Sequence, residues 1–152
     1  MKRYSVFLTE LFNKPVPRTW YRTSDGLEAS FTIDDHEYFV SFEHEDGAWW
    51  SVMFGLEGDN NHREKFTLTG TGNEIAVFAT VIVAIKEFIA RAHPEYIIFS
   101  ADEPGRQHLY RRFIQLVGNT LPGYTGYEET SLDIKHHFAI ASDQGCYVIK
   151  KK

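Results

Sequence analysis

The chain has one cysteine, Cys146, among 152 residues. A single thiol rules out an internal disulfide framework and a thiolate zinc cluster within one chain, and a reducing cytoplasm is the compartment that fits. Long apolar runs are also missing. The longest, Ile75–Ile85, contains Thr80 and falls well short of the roughly 20 residues needed to cross a bilayer. The opening "MKRYSVFLTELF" is basic at its start, but its apolar stretch is too short for a secretory signal and is interrupted by Glu10. Excess positive charge is lacking as well: the net charge is −5. A mildly acidic surface argues against broad, non-specific nucleic-acid binding. Together these absences predict a protein without a membrane segment, working in the cytoplasm.

Hydrophobic residues make up 43% and aromatics 15%, with twelve Phe and eight Tyr crowded into strand-like segments. That is a globular composition, and the length fits one domain over 1–152, with an N-terminal element and loop over 1–26 and a core over 27–152. Pro15 and Pro17 make "NKPVPRTWYRTSDG" an ordered loop that packs Trp20 and Tyr21 on the core. In "LEASFTI", Leu27, Ala29, Phe31 and Ile33 alternate with Glu28, Ser30 and Thr32, the period of a half-buried strand. "DDHE" turns the chain, "YFVSF" returns it, "HEDG" turns it again and "AWWSVMFGL" runs back, which reads as an antiparallel meander. The polar stretch "EGDNNHRE" leads into a strand "KFTLT".

After Gly72 the period changes. Phe78, Val81, Ile82, Ile85, Phe88 and Ile89 keep the three-and-four spacing of a helix face, with Asn73 as N-cap, Glu74 in the first turn and Pro94 just past the end. "YIIFS" reads as a covered central strand. A second helix follows, capped by Asp102, with Pro104 in its first turn, Leu109, Phe113, Leu116 and Val117 facing inward, and Gly118 closing it. "IKHHFAIA" and "CYVIK" read as a closing hairpin around "SDQG". The expected order is β-β-β-β-α-β-α-β-β, a mixed α/β (α+β) class with a mostly antiparallel sheet and two main helices.

The glycines of "TGTGNE" stand where a strand runs into a helix. The first amides of a helix have no internal partners and carry partial positive charge. The backbone of Leu68, Thr69, Gly70, Thr71, Gly72 and Asn73 therefore offers a cradle for a pyrophosphate, and a plain glycine turn is the other reading of the same residues. A Walker loop would need a lysine after Gly72, and a dinucleotide fingerprint would need a third glycine near Ala76.

With the meander before it and helix, strand, helix and hairpin after it, "TLTGTG" resembles the pyrophosphate loop of the GNAT superfamily, the acyl-CoA-dependent N-acyltransferases. "GRQHLYRRF" is similar to that family's second helix, with its Leu-Tyr pair at Leu109 and Tyr110. The resemblance covers about residues 27–150, mostly as element order. It implies acetyl-CoA or another acyl-CoA as co-substrate, loop amides binding its pyrophosphate and Tyr110 protonating the departing thiolate. An ordinary half-buried helix tyrosine is the alternative for Tyr110. Arg106 would help bind a coenzyme phosphate or, with Arg111 and Arg112, form a solvated basic face. Thr67 stands where the family has Gln or Arg, and its pair of N-terminal substrate helices and the Gly-Phe after the tyrosine helix are missing.

The run "TGTGNEIAVFATVIVAIKEFI…IIFSADEPGRQHLYRR" is also similar to proteins without an assigned activity that are common in tailed-phage genomes. That resemblance implies a bacteriophage protein working in a bacterial host, as an N-acyltransferase, as a catalytically silent accessory protein that binds a host protein, or as a virion component.

The seven histidines present no three convergent metal ligands: His36 and His44 fall at opposite ends of one strand, and adjacent His136 and His137 point to opposite faces of another. Glu57 and Glu64 flank the strand in the region where a base is needed, but each reads better as a solvated loop acid, and the sequence names no base. Trp49 and Trp50 face opposite ways, one into the core and one to a contact surface.

Overall fold

Asp34 and Asp35 both have positive φ, 49° and 63°. This left-handed pair is the two-residue turn whose twist matches antiparallel strands, and a short polar side chain tolerates it. It joins β2 (Gly26–Ile33) to β3 (His36–His44), as the alternation predicts. The structure is a computed structural model that describes residues 15–57, 63–65, 74–101 and 107–152. Its remaining elements are β1 (Thr19–Arg22), β4 (Trp49–Glu57), β5 (Arg63–Lys65), α1 (Glu74–Ala92), β6 (Tyr96–Ala101), α2 (Gln107–Thr120), β7 (Tyr124–Glu128), α3 (Leu132–His137) and β8 (Gly145–Lys151). The fold is mixed α+β with a mostly antiparallel sheet.

The described chain divides into two compact units. The first runs to Phe42 and resumes from Met53 to His93; the second takes Glu43–Val52 and Pro94–Lys152. In the first, the strand order is β1-β2-β3-β4, with β5 antiparallel to Gly55–Glu57 at the end of β4. The α1 residues Phe78, Val81, Ile82, Ile85 and Phe88 are all buried, as their spacing predicts. Phe88 stacks on Phe42 at 4.1 Å between ring centres, and Phe42 in turn faces Trp20 at 5.9 Å. This packing outweighs the weak helix propensity of the β-branched residues in α1. Thr80, fully buried, is satisfied twice: its hydroxyl donates to Ala76 O at 2.8 Å and accepts from Val16 N–H at 3.1 Å. His93, at φ 48°, ends α1 ahead of Pro94 by donating its N–H to Ile89 O.

Part of the predicted N-terminal loop is a strand. β1 pairs antiparallel with β2 and sets Tyr21 opposite Glu28. Glu28 is only 3% exposed, although its place in the alternation predicts a solvated side chain, and the Tyr21 hydroxyl donates to its carboxylate. The strand escaped the sequence reading because Pro15 and Pro17 stand just before it.

In the second unit the order is β4-β6-β8-β7. Trp49–Ser51 of β4 pairs in parallel with Tyr96–Ile98, and β6–β8 and β8–β7 are antiparallel. The predicted closing hairpin is corrected here. The partner of β8 is β7, and Leu132–His137 forms α3 instead of a strand. Ser131 caps α3 by accepting the Ile134 N–H, Asp133 lies in the first turn and Lys135, His136 and His137 in the last, a charge order that suits the helix dipole. Gly118 does not close α2, which continues to Thr120. The left-handed residue that turns the chain is Gly123, at φ 83°, directly before β7.

At Gly126 of β7 an added Cβ would lie 2.5 Å from Ile114 O and 3.0 Å from its Cγ1. The closest atom belongs to the backbone of α2, so relief requires moving the helix. We expect Gly126→Ala to lower stability by about 1–3 kcal/mol, the usual cost of overpacking. Denaturant titration checks this, and unchanged stability would show that α2 yields freely.

Candidate functional site

Helix α1 opens at Glu74, the residue after the predicted N-cap Asn73, and runs 19 residues. The phosphate-loop residues Leu68, Thr69, Gly70, Thr71, Gly72 and Asn73 lie outside the described residues, as does Arg106. What the fold provides is the helix start itself. Amides of the first turn without internal acceptors point out of the helix start, a fit for an anionic group such as a pyrophosphate. Tyr110 falls within the first turn of α2, and its side chain lies outside the description. Helix α1 belongs to the first unit and α2 to the second.

Of the predicted strand Lys65–Thr69, only Lys65 is among the described residues, where it ends β5. β5 pairs antiparallel with Gly55–Glu57, while the parallel partner of β6 is β4 itself. Glu57 and Glu64 are therefore strand residues, set opposite Arg63 and Leu56, and not loop acids.

No family model, curated protein or solved structure matches the chain. The chemistry of the site is read from its residues.

Arg111 leaves the predicted basic patch. Its Nε donates to Glu128 Oε2 at 2.8 Å and its Nη2 to Oε1 at 3.4 Å, a two-pronged pair with β7. Among the described residues the histidines are dispersed. His44 Nε2 lies 2.9 Å from Gly47 O, His137 Nε2 lies 3.6 Å from Asp46 Oδ2, and His136 and His137 occupy a helix, not opposite faces of a strand. Among the described residues no group of three or more His, Cys, Asp or Glu comes together as a metal site, and no helix is long and apolar enough to cross a membrane. Trp49 stacks on Tyr96 at 4.3 Å and packs on the cluster of Ile98, Cys146 and Val148, while Trp50 lies against His44.

Burial pushes the Cys146 thiol up to about 11, with Glu129 adding repulsion and Lys135 opposing it. It is therefore a protonated core residue at neutral pH and no nucleophile. A cavity of about 280 Å³ opens beside α3, lined by Leu132, Asp133, Lys135, His136, Ile140 and Ser142. Lys135 Nζ donates to Ser142 O at 3.1 Å and Gln144 O at 2.8 Å, which ties the loop after α3 to the helix. The sequence reading missed this cavity because it took the segment for a strand.

Proposed function

We propose that the chain is an acyl-CoA-dependent N-acyltransferase of the GNAT type that acts on an amine. The start of α1 directly behind Thr69–Asn73 supports this reading, because helix-start amides and glycines in one turn suit a coenzyme A pyrophosphate. In the reaction the amine nitrogen attacks the thioester carbonyl. The C–N bond forms, the C–S bond breaks, the amine proton leaves to water or a carboxylate, and the coenzyme thiolate takes a proton from Tyr110. Loop and strand amides near Phe66–Thr69 would steady the carbonyl oxygen. The setting is the cytoplasm of a bacterial host and the gene's origin a bacteriophage.

Calorimetry with acetyl-CoA, free CoA and longer acyl-CoAs tests the proposal. We expect saturable binding that Gly72→Val weakens about tenfold, the loss of roughly one backbone contact to the phosphates. No heat with any of the three removes it.

Thr67, where the resembled family has Gln or Arg, and the missing pair of substrate helices favour a second reading, in which the domain acts by binding a host protein and catalyses nothing. Tyr110→Phe separates the two: it removes acyl transfer under the first reading and leaves the effect on the host unchanged under the second.

A further inference from the structure

β7 ends the strand order of the second unit, and among the described residues its outer edge carries none of the usual guards. Within Tyr124–Glu128 there is no proline, no lysine and no break in the register with β8. Its one charge, Glu128, is neutralised by the two contacts from Arg111. By contrast β1, at the end of the other unit's order, carries Arg22 and follows Pro17 and Arg18.

Which β7 groups face outward follows from the bonds to β8. Glu129 N–H donates to Cys146 O and Lys152 N–H to Gly123 O, both 2.8 Å, so odd-numbered residues turn their peptide groups toward β8. Tyr124, Gly126 and Glu128 turn theirs away. The Tyr124 N–H is taken by Leu121 O at 3.0 Å. The N–H and C=O groups of Gly126 and Glu128 have no partner among the described residues.

We propose that this edge is a homodimer interface, with β7 pairing antiparallel to β7 of a second copy about a two-fold axis at Tyr127. That register sets Gly126 opposite Glu128 of the other copy, so all four unpartnered groups of each chain bond across the axis. It also favours a second copy of this chain over another strand. Glu128 faces a glycine and not its own carboxylate, and the two Tyr127 residues meet in the close, non-hydrogen-bonded position where aromatic pairs stabilise a sheet.

Sedimentation velocity over about 1–200 μM tests the proposal, since a short edge-to-edge interface associates in the micromolar range. Glu128→Pro removes an outward N–H, leaves the β8 ladder intact and should weaken the dimer about thirty-fold or more. Glu128→Ala keeps that N–H and should still dimerise. Hydrogen exchange on the unaltered chain gives a reading independent of variant folding: the Gly126 and Glu128 amides should become protected as concentration rises. A chain that stays monomeric throughout, a Glu128→Pro variant that dimerises as well as wild type, or amides whose exchange ignores concentration would each overturn the interface.

Discussion

Phe88→Ala is expected to cost the fold about 3–5 kcal/mol, the range for emptying a buried aromatic site. The magnitude follows from position. Phe88 is fully buried, and its ring lies 4.1 Å from Phe42 at an interplanar angle of 9°, so removal takes away both the transferred area and the stacked partner. Phe42 would lose one face while Trp20 still covers it at 5.9 Å, so the void cannot close from that side. Thermal unfolding should move down by about 10 °C, and Phe88→Leu, which refills most of the volume, should recover most of the loss. Matching midpoints for Phe88→Ala and wild type would mean that this stack contributes nothing to the core.

Stability should also fall steeply in alkali. Cys146, Tyr124, Tyr127 and Tyr147 all belong to the second unit, and burial raises the pKa of each. Repulsion from Glu129 adds to the shift of Cys146 and Tyr127, and repulsion from Glu128 to that of Tyr147. These are acids held neutral by the fold. Below their ordinary values both folded and unfolded chains keep the proton, and stability is unaffected. Above them the unfolded chain ionises first, so stability declines with rising pH. For Cys146 the window runs from its ordinary 9.0 to about 11. At 1.36 kcal/mol per pKa unit the thiol alone removes up to about 3 kcal/mol across that span, and the tyrosines extend the loss upward. Urea titrations at pH 8 through 11 measure the slope, and Cys146→Ala should make it shallower by one ionisation. A flat profile across this range would show that the buried thiol and phenols are solvated after all.

The strongly periodic segments were legible in the sequence. The Phe78-to-Phe88 stripe could form only a helix face, and the Leu27-to-Ile33 alternation with its Asp-Asp turn could form only a hairpin arm. Three elements were not. Prolines ahead of β1 hid it, and with it went the cover over Glu28. β7 is short, largely polar and carries Gly126, whose reason is the approach of Ile114 and not a turn. In α3 two periods coincide: Ile134, His136, Phe138 and Ile140 alternate as a strand would, while Ile134 and Phe138 are also four apart, and Ser131 decides for the helix. The candidate site rests on a resemblance carried by Thr67–Asn73 and Leu109–Tyr110. Of its geometry, the structure adds the helix starts at Glu74 and Gln107. The Arg111–Glu128 pair joins two elements 17 residues apart, and no local spacing announces it. The cavity beside α3 lies wholly within Leu132–Ser142 and was hidden by reading that segment as a strand.

The ten-residue excursion Glu43–Val52 has a consequence for biosynthesis. Trp49, Trp50 and Ser51 leave the ribosome well before Tyr96, Ile97 and Ile98, their parallel neighbours. N-terminal segments fold first during translation. Until the whole of α1 and then β6 have been made, Trp49 and Trp50 therefore lack the parallel strand that pairs beside them. During that interval the segment is an adhesive apolar surface of the kind that chaperones bind.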